Sequence, residues 1–228
     1  MQLTFLGHAC VVLRGTKTIV IDPFVPTGFP KDIKPDAVAL THAHGDHLDI
    51  GTVADLQAHT ICMNELAHYL SEQGVSTDPM NIGGTVTHDG VRYTMTWASH
   101  SSWIDIEGNG KYAGGRYMGS AAGFVITMDG VTVYHTGDTG LFSDMRLIGE
   151  LYRPDIVFLP IGSRYTMGPR EAMMAAEFIG AKHIIPIHYD TFPKVALSSE
   201  EVQSFKTTIE RTTDLFVHLL KPGESIEL

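Results

Sequence analysis

The segment Thr41-His42-Ala43-His44-Gly45-Asp46-His47 places four metal-ligand side chains within six residues, in the pattern H-x-H-x-D-H. Alternate residues of an extended chain project to the same side, so His42 and His44 can grip one cation together. Asp46 and His47 follow at the expected start of a helix and point to a neighbouring position. A mixed set of imidazoles and a carboxylate suits zinc, iron, nickel or manganese and argues against calcium. The competing reading is a histidine-decorated surface loop. With only Ala and Gly between the four ligand types, that reading is the weaker one.

Four ligands do not fill two metal positions, so further donors are sought at the ends of later strands, where loops on a rigid scaffold assemble sites. His100 follows the apolar run Tyr93 to Ala98, Asp138 follows Val131 to Tyr134, and His188 ends Ile184 to Ile187. Any one alone could be an ordinary turn residue. Three such positions beside the motif point to a shared site. His8, closing the first strand after Gly7, could reach that site as a proton donor or substrate contact, or serve as a structural histidine. His135 is expected to be buried and to orient Asp138. Ser101 and Ser102 suit the pocket or its support better than a covalent role.

The elements that must carry these residues can be traced along the chain. Strands are expected over Leu3 to Leu6, Ala9 to Leu13, Thr18 to Ile21 and Thr60 to Met63, with a Pro-rich loop from Pro23 to Pro30. Helices are expected over Ile50 to Ala58 and Glu65 to Gln73. The turn signals Asp89-Gly90 and Asp129-Gly130 each join two alternating runs into a hairpin. A Gly-rich loop is expected from about Ile104 to Gly119. Later come helices near Met145 to Leu151, Pro169 to Ile179 and Ser199 to Thr212, strands over Ile156 to Pro160 and His183 to Ile187, and a final strand near Leu215 to Leu219. Two strand-rich halves, each followed by helices, suggest a mixed α/β (α+β) fold, a four-layer αββα sandwich with both sheets inside.

Composition narrows the class. A chain of 228 residues with 43% hydrophobic residues suits one globular domain spanning 1–228. No basic leader precedes an apolar core, and no apolar run approaches the ~20 residues that cross a bilayer. Two cysteines, Cys10 and Cys62, fit a reducing, cytoplasmic location, and Cys10 reads as a small core residue. A net charge of −10 weakens any broad nucleic-acid surface. Twelve histidines are many for an acidic chain of this size.

Together these segments resemble the metallo-β-lactamase superfamily, and within it the prokaryotic "metal-dependent hydrolase" family related to L-ascorbate-6-phosphate lactonases. The matching stretches include Phe5-Leu6-Gly7-His8-Ala9, Ile21-Asp22-Pro23-Phe24, Thr41 to Leu48, Met80 to Thr85, His100-Ser101-Ser102, Tyr134 to Thr139, Thr166 to Pro169, and Pro186 to Pro193. The resemblance implies the αββα sandwich of that superfamily and two bound divalent cations. His42, His44 and His100 would hold the first, Asp46, His47 and His188 the second, and Asp138 would bridge them. Asp22 would brace the ligand loop, with Thr41, His135 and Thr139 as further supports. Zn²⁺ leads as the cation, with Mn²⁺, Fe²⁺ or Ni²⁺ as alternatives. The family has an acidic residue after Pro160-Ile161-Gly162, where this chain has Ser163-Arg164. That departure points to a local change in the substrate pocket; Ser163, Arg164, Tyr165, Tyr189 and Ser101, which lie in or beside site segments, are the guesses for substrate contact.

The chemistry implied is hydrolytic. A shared carboxylate holds two cations ~3.5–4 Å apart, and metal coordination brings the pKa of a water between them from ~15.7 to about 7. The resulting hydroxide would attack a small ester, lactone or phosphoester, with Asp46, His8 and Asp138 as the residues nearest catalysis. A nuclease or phosphodiesterase resembling the tRNA 3′-end processing enzymes is the runner-up, and a metal-dependent binding module without turnover is a third reading. The expected partner is a small molecule and no membrane, with nucleic acid disfavoured by the acidic balance but left open by the runner-up reading. Related lactonases assemble into multimers, which leaves a homo-oligomer open.

Overall fold

The computed structural model describes residues 1–105 and 115–228. Its opening hydrophobic runs pair with their nearest neighbours. β1 (Gln2–Gly7), β2 (Cys10–Arg14) and β3 (Thr18–Ile21) form an antiparallel meander. β4 (Ala37–Ala39), β5 (His59–Met63) and β6 (Thr77–Met80) then add in parallel. Parallel neighbours need a crossover; α1 (Ile50–Leu56) and α2 (Asn64–Glu72) supply those from β4 to β5 and from β5 to β6, and the segment 22–36 that from β3 to β4.

The second half repeats the plan. β7 (Thr85–His88), β8 (Val91–Trp97), β11 (Ala122–Met128) and β12 (Val131–His135) are antiparallel neighbours. β13 (Ile156–Pro160), β14 (His183–Ile187) and β15 (Phe216–Val217) continue in parallel, with α3 (Met145–Tyr152), α4 (Pro169–Ile179) and α5 (Ser199–Thr212) as crossovers. β9 (Trp103–Asp105) and β10 (Gly115–Tyr117) make a two-stranded ribbon, and β16 (Ser225–Glu227) returns to pair with β1. The sheet orders are β16-β1-β2-β3-β4-β5-β6 and β15-β14-β13-β12-β11-β8-β7. Both Asp-Gly hairpins turn as expected, with positive φ at Asp89-Gly90 and at Asp129-Gly130.

Alternation along the second sheet shows the layering. Phe124, Ile126, Val133, Phe158 and Ile185 pack into one core with the first sheet. Their neighbours Val125, Tyr134, Val157 and Ile184 face the other way, onto Ala172, Ala176, Val202 and Phe205 of the outer helices. On the first sheet, α2 buries Leu66, Ala67 and Leu70. The αββα order read from the sequence is the observed one. Helix ends follow their residues: Pro169 opens α4, left-handed Gly180 closes it, and Ser198 with Glu201 forms a capping box on α5. No described helix is long and apolar enough to cross a membrane.

Three expectations need correction. Asp46 and His47 do not start a helix; they sit in a turn closed by the His47 and Leu48 N–H groups donating to the His44 carbonyl. The helix begins at Ile50, where Asp49 caps it by accepting from the Thr52 N–H. The Gly-rich stretch 104–119 holds strand residues at both ends, in β9 and β10; its middle, 106–114, lies outside the described residues. β6 and β16 had no forecast at all, and the last predicted strand shortens to Phe216–Val217.

Candidate metal centre

The predicted ligands meet where strands of both sheets end. Asp22 follows β3, residues 41–47 follow β4, His100 follows β8, Asp138 follows β12 and His188 follows β14. Open α/β sheets form their binding crevices beyond such carboxyl ends. The chain pays in backbone strain here: His8, Asp22, Ser163 and His188 all adopt left-handed φ, between 48° and 64°. Non-glycine residues hold this conformation only where their surroundings over-determine it.

Three imidazoles face one point. His42 Nε2 lies 3.0 Å from His44 Nδ1, and His100 Nε2 lies 3.3 Å from the same atom. A second group gathers beside it. His47 Nε2 is 3.2 Å from Asp138 Oδ1, and His188 Nε2 is 3.0 Å from Asp138 Oδ2 and 3.6 Å from Asp46 Oδ2. Asp138 Oδ2 also lies 3.7 Å from His100 Nε2, so one carboxylate touches both groups. His8 joins the second group, with Nε2 3.1 Å from Asp46 Oδ2. Sets able to hold a cation are His42, His44 and His100; His42, His47 and Asp138; and His8, Asp46, His47 and His188. All seven ligands read from the sequence are therefore brought together.

The donor set fits a cation on an independent ground. His47 Nε2, His188 Nε2 and Asp138 Oδ1 are buried without a hydrogen-bond partner. Buried polar atoms in folded proteins nearly always have partners, and unpartnered donors of these types grouped within one space fit the coordination of a cation. Electrostatics agrees. Burial, helped by neighbouring imidazoles, lowers His42 far below its ordinary range and His44 to about 4, leaving both neutral as ligands must be. Burial would also lower His47 and His188, but the Asp138 carboxylate overrides it, raising His47 strongly and His188 to about 9. Against the raising effect of their own burial, those imidazoles hold Asp138 well below the carboxylate range, and the nearby His188 ring with the hydrogen-bonded His8 does the same for Asp46. Asp138 and the His47 and His188 imidazoles thus favour one another's charged forms.

A supporting network fixes the ligands. Asp22 accepts from the Thr41 N–H at 2.8 Å, the Thr41 hydroxyl at 2.7 Å and His47 Nδ1 at 2.7 Å. Thr41 Oγ1 lies 3.0 Å from His42 Nδ1. His135 Nδ1 accepts from the Gly137 N–H while its Nε2 donates to the Ala9 carbonyl, which sets the turn carrying Asp138. Thr139 Oγ1 accepts from the Ser99 N–H at 2.9 Å, tying the His100 loop to the Asp138 loop. Ser102, not the exposed Ser101, braces the ligand loop by accepting from the Ala43 N–H.

The substrate guesses fare differently. A cavity of about 480 Å³ opens beside His44, walled by Phe24, Leu48, Ile50, Trp103 and Ile104. None of Ser101, Ser163, Arg164, Tyr165 and Tyr189 lines it. Arg164 is exposed and lies over the Tyr165 ring, 5.6 Å from its centroid. Tyr189 lines another cavity, of about 340 Å³, together with Phe5, Leu6 and His8. The sequence reading missed Phe24 and Trp103, although each lies within three residues of a named site residue, Asp22 and His100 respectively.

Comparison with known proteins gives a consistent picture. A family model described as "Beta-lactamase superfamily domain" matches residues 17–189. A protein of Methanoculleus marisnigri named "UPF0173 metal-dependent hydrolase" is 59% identical over 228 residues, covering 100% of this chain and 97% of that protein. A protein of the same name from Methanospirillum hungatei is 57% identical, covering 100% and 99%. Among solved structures, Igni18, described as a novel metallo hydrolase from the archaeon Ignicoccus hospitalis, superposes with a TM-score of 0.85 at 32% identity, covering 99% of this chain and 97% of its own.

Proposed function

The chain belongs to the metallo-β-lactamase superfamily, among its metal-dependent hydrolases, and from that membership we propose a hydrolase that uses two cations on a small-molecule ester, lactone or phosphoester. The observation that carries this reading is the position of Asp138. Its carboxylate lies within 3.7 Å of His100 in one imidazole group and of His47 and His188 in the other. His42 Nε2, His44 Nδ1 and His100 Nε2 would hold the first cation; Asp46, His47 Nε2 and His188 Nε2 the second; Asp138 both. Zn²⁺ is the leading choice, with Mn²⁺, Fe²⁺ or Ni²⁺ compatible with the same donors.

When bound, the cation pair supplies an acidified water as nucleophile and polarises the scissile oxygen. The chain's own residues supply the rest. Asp22, Thr41, His135 and Thr139 hold the donors in place. Asp46 is the most open carboxylate of the centre, its side chain 34% exposed, and faces the solvent from which the attacking water comes. We place it on the path by which that water's proton would pass to the leaving group. Phe24 and Trp103 wall a cavity in the ~300–1,000 Å³ range of small-molecule sites. The acidic balance of the chain favours such a substrate over a polynucleotide. Buried, unpaired Cys10 and Cys62 suit a reducing, cytoplasmic setting.

The test is turnover of a panel of lactones, aryl esters, bis-p-nitrophenyl phosphate and short RNA, with and without chelator. Chelator-sensitive cleavage of a small ester, lactone or phosphoester supports the proposal. Cleavage of RNA alone would favour the nuclease reading, and two bound cations with no turnover the binding module.

A further inference from the structure

His8 stands in the second ligand group, yet the superfamily pattern gives it no place among the seven ligands. It occupies the tight connection between β1 and β2 with φ 53°, and its side chain is fully buried. Its carbonyl accepts from the His188 N–H at 2.7 Å, so the β1–β2 turn is tied directly to the strand end that carries a ligand. Its ring packs 4.1 Å from the His188 ring and 5.3 Å from Phe192, between centroids. Its polar contact is the Asp46 carboxylate, Nε2 to Oδ2 at 3.1 Å.

The contacts of His8 differ from those of the ligands. His47, His100 and His188 all approach the shared Asp138 carboxylate within 3.7 Å, His188 also reaching within 3.6 Å of Asp46, whereas His8 meets the Asp46 carboxylate alone. Asp46 sits on a turn after Gly45 and is the most solvent-open carboxylate of the set, so nothing else in its own segment fixes its rotamer as the Asp22 network fixes His42 and His47. Carboxylate ligands are themselves held by hydrogen bonds, and removing such a partner costs about 10–100-fold in metal affinity.

We propose that His8 is a positioning residue: its Nε2–H donates to Asp46 and holds that carboxylate over the second cation position. The inference rests on the two-cation reading. The ring gives its Nε2 proton to the bond and leaves Nδ1 bare, which is consistent with a buried Nδ1 that has no partner. The site thereby depends on a contact between the first hairpin and a loop 38 residues away.

Two variants and one measurement on the unaltered protein test it. Asn tolerates the left-handed backbone of position 8, but its amide is too short to reach Asp46; Gln places a donor near the level of Nε2. His8→Asn should weaken the second equivalent of Co²⁺ about 10–100-fold, leave the first unchanged, and alter the visible spectrum of the second site only. His8→Gln should recover most of the affinity and the spectrum. Nitrogen NMR of the Zn²⁺-loaded wild type should show His8 neutral with its proton on Nε2. An unchanged second affinity in His8→Asn, failure of a folded His8→Gln to recover, or a metal-bound His8 nitrogen would each overturn the proposal. Fewer than two equivalents in the wild type would instead contradict the two-cation reading itself.

Discussion

Asp22→Asn swaps one oxygen for an amide nitrogen, yet it should lower metal affinity more than Asp22→Ala. The carboxylate can only accept. Its Oδ2 takes hydrogens from His47 Nδ1 and from the Thr41 hydroxyl, which in turn can accept from His42 Nδ1. One buried group therefore keeps the ring protons of both histidines on Nδ1 and leaves their Nε2 lone pairs for cations. An Asn must keep its oxygen on the Thr41 N–H, whose direction the backbone fixes. Its NH₂ then faces His47 and the hydroxyl, and both become acceptors. Protons move to Nε2 of His47 and, through Thr41, of His42, so each cation position loses a lone pair. Forcing the ligand tautomer back sets donor against donor at a fully buried site, and an unsatisfied buried donor costs about 1–3 kcal/mol. At about 1.4 kcal/mol per decade that is roughly 5–150-fold in affinity. In Asp22→Ala nothing opposes the Nδ1 proton, and a water can accept it, so affinity falls less although stability also drops. Competition with a chromophoric chelator measures the affinities, and thermal unfolding in excess chelator separates stability. Wild-type affinity in a folded Asp22→Asn, or an Ala variant weaker than the Asn one, would refute the tautomer argument.

Three further outcomes follow from the same geometry. Asp138→Ala should lower the number of cations retained after dialysis and reduce turnover on the order of 100-fold or more; full turnover in that variant contradicts its shared role. Cation uptake should release protons, because His188 is raised to about 9 by Asp138 in the cation-free centre and must become neutral to bind. Affinity should thus climb as pH rises through about 9, and titration calorimetry in buffers of different ionisation enthalpy would expose the idea as wrong if no proton appeared. Gly137→Ala should destabilise the fold by clearly more than ~2 kcal/mol in denaturant melts, since its φ is +62° and the added Cβ would sit 2.4 Å from the Ala122 carbonyl. Gly180→Ala, at φ +68° with open space around it, is the control and should cost only about 1–2 kcal/mol of left-handed strain.

Much of this centre is legible because its donors lie at ends of strongly patterned strands. Ile184 to Ile187 and Val131 to Tyr134 announce themselves, and His188 and Asp138 follow directly. Turn chemistry was equally readable at Asp89-Gly90, Asp129-Gly130 and Gly180. What escaped has a common cause. β6 contains Asp78 and Pro79 and no alternation, and it becomes a strand because the edge of β5 accepts it. β16 is three residues held by backbone bonds to β1, more than 200 positions away. Asp46 and His47 look like a helix start, but the His44 carbonyl closes a turn first. The contact of His8 with Asp46 joins two loops of the first sheet that lie 38 residues apart, and the cavity wall sets Phe24, after β3, against Trp103 of β9; neither leaves a local signal.

Diffraction from crystals grown with excess Zn²⁺, with data on both sides of the zinc absorption edge, tests the central claim most directly. Two anomalous peaks are predicted, one among His42, His44 and His100, the other among Asp46, His47 and His188, with Asp138 between them. A single peak, or peaks away from these residues in metal-saturated protein, would contradict the account.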